Sequence, residues 1–90
     1  MHFIYILRSK KFNRLYIGYS DNLVKRLEKH NGGLVKSTKP YKPWFVVYYE
    51  VYLAKGEALR WESNLKLRSN AWNQLKRRIQ KSISTPPDYY

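Results

Sequence analysis

Ninety residues are enough for one domain and exclude a two-domain enzyme with a deep interdomain cleft, since a chain this short buries only about two-thirds of its unfolded surface. Hydrophobic residues make up 43% of the chain and cysteine is absent, which argues for a small core and excludes a disulfide scaffold, a cysteine-ligated zinc and a thiol nucleophile. Eighteen Lys and Arg against six Asp and Glu give a net charge of +12, a field that favours a polyanionic partner, nucleic acid first.

Residues 3–7, Phe-Ile-Tyr-Ile-Leu, are β-branched and aromatic and predict a strand. They are too short for a signal peptide and end in charge at Arg8, and no apolar run nears the roughly 20 residues of a membrane span. A soluble, cytoplasmic protein is therefore expected. Residues 14–19 predict a second strand, close enough to pair with the first as an antiparallel hairpin. Gly18 near its end leaves room for a ligand or another chain.

Ser20 and Asp21 are good N-caps for a helix over residues 22–31, with Leu23 and Leu27 on its buried face and Gly32-Gly33 ending it. Residues 34–43 form a basic loop with Lys36, Lys39 and Lys42. The long apolar run 44–53 predicts the central strand. A helix over 54–67 turns Ala58, Leu59 and Leu65 inward, and a last helix over 70–83 carries Trp72, Leu75 and Ile79. Residues 84–90, with Pro86-Pro87, are expected to be a flexible tail. The order β-β-α-β-α-α in a single domain over 1–83 excludes a doubly wound nucleotide-binding fold, and neither phosphate-cradling glycine motif occurs.

Glu62 stands out because Ala58, Glu62 and Leu65 fall on one helical stripe. A carboxylate there needs a partner: a Lys or Arg, or water at the edge of the stripe. Glu50, in the long strand, stays open as a second acidic candidate, whereas Glu28 and Glu57 read as surface residues. Arg26 and His30 are spaced i, i+4 and share a helix face, pairing a permanent planar donor with a group that titrates near neutrality. That suits a phosphate held while a proton moves, and equally a solvated basic face shared with Lys25 and Lys29. Tyr5 and Tyr16 lie on adjacent strands. They are packing residues, or phenols aimed into a polar cleft where cations lower a pKa that starts at about 10.

Together these residues resemble the GIY-YIG nuclease family, most closely its short stand-alone bacterial members, which are related to the nuclease domain of the excision-repair incision subunit. Tyr16-Ile17-Gly18 matches the second signature element. Phe3-Ile4-Tyr5 matches the first, with Phe3 in place of Gly. The stretch from Asp21 through Arg26 to His30 looks like the family's helix, and Glu57-Ala58-Leu59-Arg60-Trp61-Glu62 like the segment that ends in its metal-binding Glu. The resemblance spans roughly residues 2–70. It implies an α/β domain of the α+β type, a small three-stranded antiparallel sheet flanked by helices, acting as a divalent-metal-dependent phosphodiesterase with Mg²⁺ or Mn²⁺. By the same resemblance Glu62 binds the metal and Arg26 holds the scissile phosphate. Tyr5 or Tyr16 orients or deprotonates the attacking water, His30 assists, and Gly18 lets the backbone pass close to the site.

A single carboxylate suffices for Mg²⁺, which fills its shell with water and substrate oxygens. Lys36, Lys39 and Lys42 are the candidates for tracking the backbone without reading sequence. The expected function is a DNA endonuclease, with branched, flapped or nicked forms in repair or recombination as candidate substrates and RNA open as a substrate. The alternatives are a non-catalytic basic nucleic-acid-binding module and a basic RNA-processing or ribosome-associated protein.

Overall fold

The protein is described here from a computed structural model covering residues 1–67 and 70–84. The chain runs β1 (His2–Ser9), β2 (Leu15–Ser20), α1 (Leu23–Asn31), a 3-10 turn at Lys39–Tyr41, β3 (Trp44–Tyr52), α2 (Lys55–Lys66), α3 (Asn70–Arg78) and α4 (Gln80–Ser84). The three strands form one sheet in the order β2-β1-β3, both pairings antiparallel. The α+β class and the three-stranded antiparallel sheet agree with expectation.

The expectation that residues 44–53 make the central strand is overturned: β1 is central and β3 is an edge. The reason lies in which strand is covered on both faces. Ile4, Tyr5, Ile6 and Leu7 are all buried, whereas in β3 only Trp44 and Phe45 are, and Tyr49 and Val51 stand 54% and 43% exposed. A long aromatic run can thus sit at an edge, because tyrosine tolerates a wet rim.

Alternation along β1 sorts the sheet into two faces. Ile4 and Ile6 join Ile17, Ala58, Leu65, Trp72, Leu75 and Ile79 in the larger core, under α2 and α3. Tyr5 and Leu7 join Trp44 in a smaller cluster, closed by Leu23 and Leu27 of α1. The β1–β3 register shifts between Ile6, paired with Tyr48, and Leu7, paired with Val46. Val47 is therefore the extra residue of a bulge.

Asn22 is the N-cap of α1, its side chain accepting from the Lys25 N–H at 3.1 Å. Ser20 serves one step earlier, its hydroxyl accepting from the Asn22 N–H at 3.0 Å. Gly32 closes the helix, its N–H donating to the Glu28 carbonyl at 2.8 Å. Leu59, expected inside α2, is 38% exposed, because the stripe through Ala58 and Leu65 already fills the space beneath the helix. The predicted last helix divides at Ile79 into α3 and α4. Its apolar spacing survives, since Ile79 N–H still bonds Leu75 and Ile83 N–H still bonds Ile79. Of the expected tail, Ser84 closes α4 and the remainder lies outside the described residues.

Candidate functional site

Tyr5 stands at the middle of the central strand, 1% exposed, directly opposite Gly18 of β2. A β-carbon on Gly18 would overlap the Tyr5 ring carbons and hydroxyl. The bareness of Gly18 therefore has a packing cause. Gly18 is buried, and the room expected there for a ligand or another chain is filled by Tyr5 on the neighbouring strand.

The Tyr5 hydroxyl meets His30 Nε2 at 3.0 Å, and His30 Nδ1 meets Thr38 Oγ1 at 2.7 Å. Thr38 in turn donates its hydroxyl proton to the Val35 carbonyl at 3.3 Å. That direction leaves the Thr38 oxygen as acceptor, so His30 carries its proton on Nδ1 and accepts the Tyr5 proton at Nε2. His30 and Thr38 are fully enclosed, at 0% and 1% exposure. Burial, helped by the Arg26 charge, lowers the His30 pKa to about 4, and the imidazole is neutral at pH 7. Burial also pushes the Tyr5 hydroxyl up to about 12, with the Arg26 hydrogen bond opposing and the Glu62 charge adding to the rise.

Arg26 lies one helical turn before His30 and is half-buried. Its guanidinium is in hydrogen-bonding range of Tyr5 and Tyr16, and the Tyr5 bond is the chief cause of its raised pKa. Its Nε is buried and has no hydrogen-bond partner among the described residues. Tyr16, half-buried, faces the same group: its ring centroid is 6.3 Å from that of Tyr5 and 4.9 Å from that of His30.

Glu62 approaches from α2, between the buried Ala58 and Leu65. Its side chain is 16% exposed and pairs with Lys66 at 3.2 Å, while Lys66 is 49% exposed and holds its Nζ 5.9 Å from the Tyr16 ring centroid. The carboxylate thus meets both readings of the sequence: it has a lysine partner, and it lies within electrostatic reach of Tyr5. No group of three His, Cys, Asp or Glu side chains is gathered among the described residues. A lone, partly open carboxylate beside phenols and a guanidinium fits Mg²⁺ or Mn²⁺, hard ions that keep most of their water, and does not fit an all-protein cage. Glu50 belongs elsewhere: it accepts from Trp61 Nε1 at 2.9 Å and pairs with Ile4, on the sheet face away from Tyr5.

Four of the five predicted catalytic residues, Tyr5, Tyr16, Arg26 and His30, therefore share one cluster, and Glu62 flanks it. Lys36, Lys39 and Lys42 are exposed on the loop that supplies Thr38; Lys39 and Lys42 crowd Gly33, whose φ of +75° takes the left-handed turn. The structure adds a cleft of about 330 Å³ in which Lys25, Arg26, Lys29 and Lys55 converge beside Tyr19 and Asp21. The i, i+4 spacing of Lys25 and Lys29 was its signal in the sequence, and it read equally as a solvated face. Thr38 carried no such signal, because its role depends on where a loop folds.

Residues 1–80 match the family model described as the GIY-YIG catalytic domain. A UPF0213 protein of Staphylococcus haemolyticus is 41% identical over 66 residues, covering 72% of this chain and 79% of that one. A UPF0213 protein of Staphylococcus aureus is 42% identical over the same length and coverage. The solution NMR structure of a UPF0213 protein from Bacillus halodurans superposes with a TM-score of 0.50 at 31% identity, covering 96% of this chain and 87% of that one.

Proposed function

Because this chain belongs to the GIY-YIG catalytic-domain family, we propose that it is an endonuclease that hydrolyses phosphodiester bonds in DNA with the help of Mg²⁺ or Mn²⁺. The observation that carries the reading is the convergence of Tyr5, Tyr16, Arg26 and Glu62 from four separate elements, coupled through the Arg26 hydrogen bonds and the Glu62 charge. Separated residues of a merely basic surface have no reason to meet in this way.

Glu62 would hold the ion, with Lys66 giving up its pairing. The bound ion would supply charge neutralisation at the phosphate and favour ionisation of water. Arg26, which lines the cleft beside Lys25 and Lys29, binds a non-bridging phosphate oxygen through its guanidinium, a charge-assisted hydrogen bond that strengthens as negative charge builds on that oxygen. Tyr16 orients the attacking water. Tyr5 is less suited to that task, because its proton is committed to His30 and burial holds it on. The role of Tyr5, with His30 and Thr38 behind it, is to fix the guanidinium: its oxygen lone pairs face Arg26 because its hydrogen faces the imidazole. The cleft lined by Lys25, Lys29 and Lys55 carries the neighbouring backbone phosphates without reading bases. Branched, flapped and nicked DNA are the forms we propose to try first, as substrates arising in repair.

The test is cleavage of supercoiled, nicked, flapped and branched DNA, and of single-stranded RNA, with Mg²⁺ or Mn²⁺, beside Glu62→Gln. Metal-dependent cutting of DNA that disappears in the variant supports the reading. Salt-sensitive binding without cutting under any ion would replace it with the non-catalytic binding module, and cutting that survives Glu62→Gln would remove the assigned metal role.

A further inference from the structure

A second cationic groove lies at the opposite end of β2 from the Lys25–Lys55 cleft. It measures about 450 Å³ and is lined by Asn13, Arg14, Leu15, Trp72 and Lys76. Its two cations rest over aromatic rings: the Arg14 guanidinium carbon is 4.2 Å from the Tyr41 ring centroid and Lys76 Nζ is 5.7 Å from that of Trp72. Neither makes an ion pair with a carboxylate among the described residues. The two stretches that build the groove are also free of acids, since no Asp or Glu occurs in residues 1–20 or 63–84. Arg14 and Lys76 are exposed, and each keeps hydrogen-bond donors for an anion.

We propose that this groove is a second backbone-binding surface, which holds phosphates of the same nucleic acid on the far side of Tyr16 from the Lys25–Lys55 cleft. The proposal rests on the nuclease reading and extends it, giving the substrate a direction along β2. β2 is an edge of the sheet, Leu15 at its start lines one groove and Tyr19 near its end lines the other. Four strand steps separate them, roughly 13 Å at about 3.3 Å per residue, and that matches about four nucleotides of duplex rise at ~3.4 Å each. Tyr16 lies between. A strand wrapped over this edge would be anchored at both ends of β2, and such anchoring positions the bond to be cut. Trp72 is only 2% exposed, so the groove offers no face for stacking bases. Its ligand is the phosphate backbone.

The experiment is fluorescence anisotropy with a 20-base-pair duplex in EDTA across a KCl series, comparing the wild type with Arg14→Gln/Lys76→Gln. The expected result is a loss of affinity of at least tenfold at low salt and a fall of about 2 in the slope of log K against log salt, near one unit for each phosphate contact. An unchanged slope and affinity in a variant that melts like the wild type overturns the groove alone, if the wild type binds and cuts DNA. A wild type that binds no duplex at any salt overturns the nuclease reading, and the groove with it. Should the variant melt early, the backbone amides of Asn13, Arg14 and Leu15 are followed by NMR as duplex is added to the wild type: shifts support the groove, and stationary amides overturn it. Polyglutamate that displaces the duplex from these residues at matched charge would reassign the surface to an acidic protein.

Discussion

The Tyr5 ring fills the space that a side chain on Gly18 would occupy, across the Tyr5–Gly18 pair of the β1–β2 ladder. Signature tyrosine and signature glycine are thus two halves of one packing arrangement. Gly18→Ala forces the phenol aside in a closed site, and overpacking of this kind costs about 1–3 kcal/mol. A fall in melting temperature of several degrees is expected. Calorimetry of a double-mutant cycle with Tyr5→Leu tests it: the double variant should lose less than the sum of the two singles.

His30 sets a pH dependence of stability. The unfolded imidazole takes a proton near its ordinary value of 6.5, whereas the folded one resists until about 4. Between these values the unfolded chain binds more protons, so stability falls as pH falls through this window, by about 1.4 kcal/mol per pH unit. Above pH 6.5 the group contributes no slope, and below about 4 the loss is complete. His30→Gln keeps one acceptor and one donor without titrating. Its melting temperature should therefore fall less steeply than that of the wild type between pH 6.5 and 4, and parallel curves would refute the assignment.

Glu62 and Lys66 should separate activity from stability. The pair is an i, i+4 ion pair with a half-exposed lysine, worth about 0.3–0.5 kcal/mol at most. Glu62→Gln is expected to abolish cleavage while moving the melting temperature by a degree or two. Lys66→Gln frees the carboxylate and should lower the Mg²⁺ concentration needed for half-maximal cleavage. A large loss of stability in Glu62→Gln would instead make the ion pair the reason for the residue.

Thr38 tests the tautomer. Thr38→Val removes the acceptor for the His30 Nδ1–H while keeping the shape of the side chain. Imidazole ¹⁵N shifts should then report a changed proton position, and kcat should fall roughly tenfold, the worth of about one hydrogen bond, with KM little altered. Thr38→Ser restores the hydroxyl and should restore both. An unchanged ¹⁵N spectrum in Thr38→Val would show that the threonine does not set the proton.

The hairpin, α1 and α2 were legible in the sequence because periodicity and glycine punctuation report local structure. The Arg26–His30 relationship was legible for the same reason, being fixed by the pitch of one helix. Strand order was not, since the apolar length of residues 44–52 says nothing about which strand both helix layers cover. The cause of Gly18 was hidden in a cross-strand register, and the part played by Thr38 in the path of a loop eight residues beyond the histidine it touches. Lys25 and Lys29 were visible as a charged stripe, but only the arrival of Lys55 from α2 turns that stripe into one wall of a cleft.

The middle position of β1 ties the fate of the cluster to that of the whole domain. Its strand is flanked by a partner on either side, so Tyr5 cannot leave its place through fraying at a sheet margin. Amide exchange at this residue should be among the slowest in the molecule and proceed only through global opening. Heat would then inactivate the protein and melt it in a single event, with no softened intermediate in which the machinery is lost and the body endures.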